Sequence, residues 1–440
     1  MDRSAALPHA QVYAKRRARL AKAMAKGSAL VLFAWPVHLR NGDVEHEYRQ
    51  SSDFYWLAGF EEPGAVLVLT AQNQLTLFVR PRDPAREIWD GPRAGVLGAK
   101  KVYGADEAWP IDELARRLPT LLADRVRIYH RFGVEQSADK TVFGVLDWLT
   151  RAKAREPLLL PSELVDPRVL LHEARLRKDP TELTLMRRAC AITREAHVAA
   201  MAQSRAGMHE YQVEAILHRI FAERGAARPA YGSIVGSGPN ATVLHHRSGQ
   251  RVLGAGELLL IDAGCEYGYY ASDVTRTFPV SGRFSKEQRA LYEAVLRTQE
   301  SAIERVRPGE TLEAIHEHIV QSTIEELRRL RLLTGSAKQI EESKSYRRFY
   351  MHRSSHWLGL DVHDAGTYFD ARKPRKLEPG MVFTIEPGLY VGARDRRAPA
   401  AFRGLGVRIE DDIVVTAKGH EVLSANIPKS VEEIEAACPR

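Results

Sequence analysis

An apolar run that ends in an acid, with a glycine two residues further on, occurs twice in this chain and constrains its fold more than any other feature. Gly256-Glu-Leu-Leu-Leu-Ile-Asp262-Ala-Gly264 aligns with Gly380-Met-Val-Phe-Thr-Ile-Glu386-Pro-Gly388. Each copy reads as a buried strand that delivers a carboxylate to a pocket edge. After the first copy, a Gly/Glu/Tyr-containing turn leads into residues 270–280, predicted to be a returning strand that carries Asp273. Alone, either Asp would read as a turn residue. Side by side, two carboxylates repel unless a proton or a cation lies between them. A second acid also follows the second copy, at Glu410. Two related halves would therefore set four acids around a pseudo-twofold axis.

At 440 residues, 44% hydrophobic and 27% charged, the chain has the composition of a globular protein with two or three domains. No apolar run approaches the ~18 residues of a membrane span, and residues 1–26 are basic and Ala-rich without a secretory apolar core. Cys190, Cys265 and Cys438 are far apart and form no C-x-x-C pair. That argues against disulfides and thiolate metal sites and fits a cytoplasmic location. The net charge of +8 includes clusters at 373–376 and 394–397, but prolines and acids interrupt them and no nucleic-acid-binding module accompanies them.

In chain order, a helix is expected over 10–26, strands at 29–33, 65–70, 75–79 and 126–129, and a helix near 142–151. These make an α/β domain over residues 1–172, without a metal-ligand cluster and read as structural or gating. The boundary follows the punctuation Pro161 to Pro167. In residues 173–440, Pro180-Thr181-Glu182 opens a helix with Leu185, Ala189, Ile192, Ala196 and Ala199 on one face. Further helices are expected over 210–225, 286–306 and 312–333, around strand-rich segments 231–280 and 350–416. Helices flanking antiparallel hairpins indicate an α+β class.

Three histidines, His352, His356 and His363, fall within twelve positions just before the second acid-bearing strand. Imidazole serves as metal ligand and as acid–base group, so this density marks a site. His245 and His246 lie upstream, and Arg408 and Glu410 lie downstream in Val-Arg-Ile-Glu-Asp-Asp. Together I-D-A-G, S-D-V-T-R-T, H-R-S-S-H-W-L-G-L-D-V-H-D, T-I-E-P-G-L-Y and V-R-I-E-D-D resemble the motifs of the pita-bread metallopeptidases, in particular the aminopeptidase P group. E-Y-R-Q-S-S-D-F-Y-W-L-A-G-F and E-I-W-D-G resemble its N-terminal domain.

The resemblance implies a pita-bread catalytic domain behind a smaller α/β domain. It implies metal ligands at Asp262, Asp273, His356, Glu386 and Glu410, a hard, oxygen-rich set suited to two divalent ions, Mn²⁺ foremost. Glu386 would also shuttle a proton. His352 and His363 would contact substrate and stabilise the tetrahedral state. His245 and Tyr390 would line the substrate pocket. Arg408 would pair with a carboxylate such as Asp43, and Trp89 would reach the pocket from another subunit unless it is a core aromatic. The implied substrates are peptides with proline second, whose tertiary amide lacks an N–H. Arg353 and the Arg-rich stretch 391–402 would bear on substrate preference. The assembly would be a homo-oligomer, a tetramer or a dimer, with no nucleic-acid or membrane partner. The same motifs admit a prolidase restricted to dipeptides. A non-catalytic peptide-binding module is disfavoured, because all five ligand positions are intact.

Overall fold

The computed structural model describes residues 10–155 and 157–438. Its chain divides into two units between Arg175 and Leu176. The first is built on a mixed six-stranded sheet, ordered Glu107–Pro110, Leu75–Val79, Val66–Thr70, Ser28–Phe33, Arg127–Tyr129, Glu163–Val165. Ser28–Phe33, Val66–Thr70 and Leu75–Val79 pair antiparallel, and the outer strands join in parallel. The three central strands are nearly continuous apolar runs, as strands covered on both faces must be. The edge strands Glu107–Pro110 and Glu163–Val165 escape a pattern reading because they are short and half exposed. Helices Ala10–Ala23 and Gln136–Lys153 lie where periodicity expects them.

The second unit is α+β. Its first long helix, Pro180–Gln203, starts at Asp179, whose carboxylate accepts from the Thr181 and Glu182 amides in a capping box. Leu185, Ala189, Ile192 and Ala196 are buried as the spacing requires, but Ala200 takes the next buried place and Ala199 is only partly covered. Helices Glu210–Glu223, Lys286–Ile303 and Leu312–Arg329 complete the cover of the main apolar core. Two antiparallel sheets carry the repeated motif: Ile234–Ser237, Leu258–Asp262, Thr275–Pro279, and Val382–Ile385, Asp411–Val415, His420–Val422.

Register explains how each hairpin presents two acids. Asp262 lies opposite Thr275, and Ile385 lies opposite Asp411. The second acid of each pair, Asp273 or Glu410, therefore sits just outside the partner strand. This corrects the expectation of one strand over 270–280. Tyr270–Ala271 instead pairs with Cys265–Tyr267 in a separate small sheet, and the ladder resumes at Thr275. The break has a steric cause. A Cβ on Gly264 would stand 1.8 Å from the Ser272 carbonyl oxygen, so the chain presses on bare glycine backbone. Asp273 is left free of the ladder, and its amide donates to buried Asp412 (3.0 Å). In the second copy, a Cβ on Gly388 would stand 2.4 Å from the Tyr390 hydroxyl.

The two hairpins are locked together by Arg276. Its fully buried guanidinium donates to Asp411 (2.8 Å) and to the carbonyls of Glu410 (2.7 Å), Thr275, Ile427 and Pro428. Asp411 also accepts from Ser424, Lys429 and Gln299. Replacing Arg276 with Met leaves Asp411 with Lys429 as its remaining cation and takes the donor from several buried carbonyls, and is expected to cost about 3–5 kcal/mol in urea unfolding; a loss below about 1 kcal/mol would contradict the brace. Burial pushes the Asp411 carboxyl up, but Arg276, Lys429 and Ser424 outweigh it and leave its pKa at about 2. Because the folded value lies below the unfolded one, the associated stability is full above about pH 4 and is lost as pH falls towards 2. Unfolding measured against pH should show that component in the native protein and not in an Asp411→Asn variant.

Candidate active site

Asp262 and Asp273 flank the phenol of Tyr231, which donates to Asp262 Oδ1 at 2.6 Å and also hydrogen-bonds Asp273. With one proton to give, Tyr231 can serve only one of them at a time. Glu410 comes in from the other half, fixed by the Thr275 hydroxyl (2.6 Å) and by its own amide on the Thr275 carbonyl (3.1 Å). The segment bearing His356 runs beside Val382–Ile385: Thr384 N–H donates to His356 O, and Glu386 N–H to Ser354 O. That pairing sets His356 Nε2 at 3.3 Å from Asp273, 3.9 Å from Glu386 and 4.0 Å from Glu410. Asp273, His356 and Glu410 each offer a ligand atom within 4.8 Å of the others.

The charges at this cluster do not balance without a cation. Burial and the neighbouring acids push Glu410 well above the usual carboxylate range and raise Asp273. Burial first, opposed by His356 and Arg408 and assisted by Asp273 and Asp262, pushes Glu386 up to about 7. Burial works against the His356 imidazolium, but Asp273 and Glu386 outweigh it and raise this histidine to about 9. Three buried carboxylates, half-buried Glu386 and one imidazole converging this way fit divalent cations, which would replace the protons that crowding otherwise demands. The donor set is oxygen-rich and free of thiolate.

Arg408 is the fixed countercharge. It donates to Asp262 Oδ2 (2.6 Å), the Thr275 hydroxyl (3.1 Å) and the Tyr390 hydroxyl (3.0 Å). Its carboxylate partner is thus Asp262, where the sequence reading offered Asp43. The hairpin register brings Asp262 opposite Thr275, next to Arg408, whereas Asp43 lies exposed in the turn between Leu39–Asn41 and Val44–Glu45 of the other unit. Tyr390 is also corrected. It is buried behind His352 and Arg408 rather than in the pocket wall, because its hydroxyl packs over Gly388. Trp89 is not a core aromatic. It is 84% exposed on helix Pro84–Asp90, which has no buried residue.

The cluster forms the floor of a cavity of about 1190 Å³, walled by His245, His352 and His363 and rimmed by Glu313, Arg353, Tyr368 and Phe369. The three histidines differ in freedom. His352 is spent on the protein: Nδ1 meets the Arg353 carbonyl (2.6 Å) and Nε2 the Tyr390 hydroxyl (2.9 Å). Since Tyr390 already accepts from Arg408, its proton goes to Nε2, which makes His352 the Nδ1–H tautomer. Burial and Arg408 lower His352 to about 4, so it stays neutral. His245 and His363, by contrast, have no hydrogen-bond partner among the described residues, and burial with the neighbouring histidines lowers His363. The loop carrying His363 is held by a buried pair, Lys178 Nζ to Asp364 Oδ2 at 2.9 Å.

Sequence reasoning missed Tyr231, Thr275 as a partner of Glu410, and His316, which lines the cavity from helix Leu312–Arg329 and bonds the Ser354 hydroxyl (2.8 Å). Thr275 lies inside S-D-V-T-R-T and was legible as part of a motif. Tyr231 and His316 stand alone in the sequence and carry no signal there.

Comparison with known proteins agrees with this geometry. Residues 184–417 match metallopeptidase family M24, and residues 13–129 match the aminopeptidase P N-terminal domain. The chain is 44% identical over 430 residues to the Xaa-Pro aminopeptidase of Escherichia coli (strain K12), covering 97% of each, and 40% identical to that of Haemophilus influenzae, covering 96% of each. Among solved structures, it superposes on the aminopeptidase PepP of Pseudomonas aeruginosa with a TM-score of 0.96 at 45% identity, covering 98% of both chains. A zinc-substituted E. coli aminopeptidase P in complex with product gives a TM-score of 0.95 at 43% identity, again over 98% of both chains. Likeness of this degree over both whole chains places the protein in metallopeptidase family M24, among its Xaa-Pro aminopeptidases.

Proposed function

We propose that this enzyme holds two divalent ions, Mn²⁺ in preference, among Asp262, Asp273, His356, Glu386 and Glu410, and that it releases the first residue of peptides with proline second. The observation that carries this reading is the convergence of those five side chains beneath a cavity that retains two uncommitted imidazoles. When bound, the ions supply a water-derived nucleophile at neutral pH and polarise the scissile carbonyl. The protein's own groups do the rest. Glu386 takes a proton during attack and passes it to the leaving proline nitrogen. His363 offers an N–H donor to the charge that develops on the substrate carbonyl, and His245 offers a polar contact to the bound peptide. His352, with both ring nitrogens held by protein partners, lines the pocket and touches substrate only by giving up one of them. Arg408 keeps Asp262 ionised and aimed.

In this reading the N-terminal unit serves oligomerisation and gating, with exposed Asp43 and Trp89 meeting the substrate pocket of another subunit in a cytoplasmic tetramer or dimer. The exposure of Trp89 supports that role. Among the described residues, no helix is long and apolar enough to cross a membrane.

Metal-stripped protein given an X-Pro-Y tripeptide should release X only after Mn²⁺ is restored, and should cut an X-Pro dipeptide slowly or not at all. Cleavage of the dipeptide alone would make the enzyme a prolidase, and full activity without metal would overturn the proposal. A His363→Ala variant should keep its metal content yet lose about 10²–10³-fold in kcat, the scale of one lost oxyanion donor. His356→Ala should instead lose metal, read by elemental analysis of the dialysed protein.

A further inference from the structure

Outside the acid cluster, a further buried carboxylate of the second unit is wired to the cavity. Glu210, in the first turn of helix Glu210–Glu223, is fully buried. Its Oε1 accepts from the Ser237 amide (2.8 Å), the Ser237 hydroxyl (2.8 Å) and the Asn240 side chain (2.9 Å). Its Oε2 accepts from His246 Nε2 (2.8 Å) and the Gly249 amide (3.2 Å). Five donors thus converge on one side chain from the end of strand Ile234–Ser237, from the 3-10 turn Gly238–Thr242, and from the segment that follows. Burial pushes the Glu210 carboxyl up, but the Ser237, His246 and Asn240 donors outweigh it and hold it below the usual carboxylate value.

That following segment forms part of the cavity wall. Leu244, His245, His246, Arg247 and Ser248 line it in succession, without belonging to a helix or strand. His245 has no hydrogen-bond partner among the described residues, so its flanking residues decide its place. The anchors that follow it, the His246 side chain and the Gly249 amide, both end on Glu210. We propose that Glu210 is a positioning residue for peptide binding. It pins residues 246–249 through one ionised carboxylate and thereby sets His245 against the substrate. A carboxylate suits this task because both oxygens accept at once, whereas an amide would turn an NH₂ group towards donors on one side.

The inference rests on the peptidase reading above, and the test separates the two. Native enzyme, Glu210→Gln, Glu210→Asp and His246→Ala would be compared, each loaded with Mn²⁺. In Glu210→Gln, KM for an X-Pro-Y tripeptide should rise about 10-fold or more while kcat stays within about threefold, the scale of an unsatisfied buried group acting on binding. Metal content should stay at the native level, and Glu210→Asp, which keeps both oxygens, should recover most of the KM change. Trypsin supplies an activity-independent readout, because Arg247 is exposed within the pinned segment. Cleavage after Arg247 should be about 10-fold faster in Glu210→Gln with the global unfolding midpoint little changed. Unchanged KM and unchanged Arg247 cleavage would overturn the proposal, as would equal losses in kcat and metal content. If Glu210→Gln does not fold, His246→Ala removes the same tie from the loop side and carries the same readouts. If native enzyme cuts no Xaa-Pro peptide, the peptidase reading fails, while Arg247 cleavage still decides whether Glu210 pins the loop.

Discussion

Mutual repulsion among four carboxylates is the constraint on which the catalytic unit depends. Two like charges about 4 Å apart at a partly shielded site repel by roughly 4 kcal/mol, so Asp262, Asp273, Glu386 and Glu410 cannot all be ionised on the protein's own cations. Arg408 neutralises one, and His356 another when protonated. The remaining charge shows in a Glu386 near neutrality and a Glu410 raised further. A scaffold that forces acids together against this repulsion must be rigid. Arg276 supplies the rigidity by tying the carbonyl of one acid's own residue, Glu410, to the opposite hairpin. Divalent ions relieve the crowding at the same point where their charge is needed for hydrolysis.

Around that floor, polar groups are divided between holding and acting. Every hydrogen-bonding atom of the Arg276 guanidinium and both nitrogens of His352 are used to hold. His245 and His363 are left open, and the loops that carry them are fastened from behind by other buried charges, Glu210 and the Lys178–Asp364 pair. A group that must exchange partners during a reaction cannot also anchor its own loop, so anchoring passes to neighbouring residues. The same logic explains Tyr390, which serves the pocket by restraining His352 and Arg408 from outside it.

Much of this was legible in the chain itself. The repeated strand-acid-glycine pattern located four acids and the hairpins that bear them, and the histidine-rich stretch located three imidazoles. Both are local signals, because a strand's period and a motif's spacing depend on residues near in sequence. The central strands of the first unit were legible for the same reason, as apolar runs covered on both faces.

What the chain did not disclose depends on contacts between residues far apart. Asp273 leaves its strand where bare Gly264 admits the Ser272 carbonyl, a close approach that no periodicity encodes. Arg408 takes Asp262 rather than Asp43 because register, an inter-strand property, places Asp262 opposite Thr275 beside it. Tyr231, His316 and Glu210 stand in unremarkable sequence and become partners of the site only across 31 or more positions of chain. Sequence alone therefore determined which residue types bear the chemistry and which elements carry them. Tertiary structure decided which are free to react and which are held, since that depends on hydrogen-bond partners supplied by the folded neighbourhood.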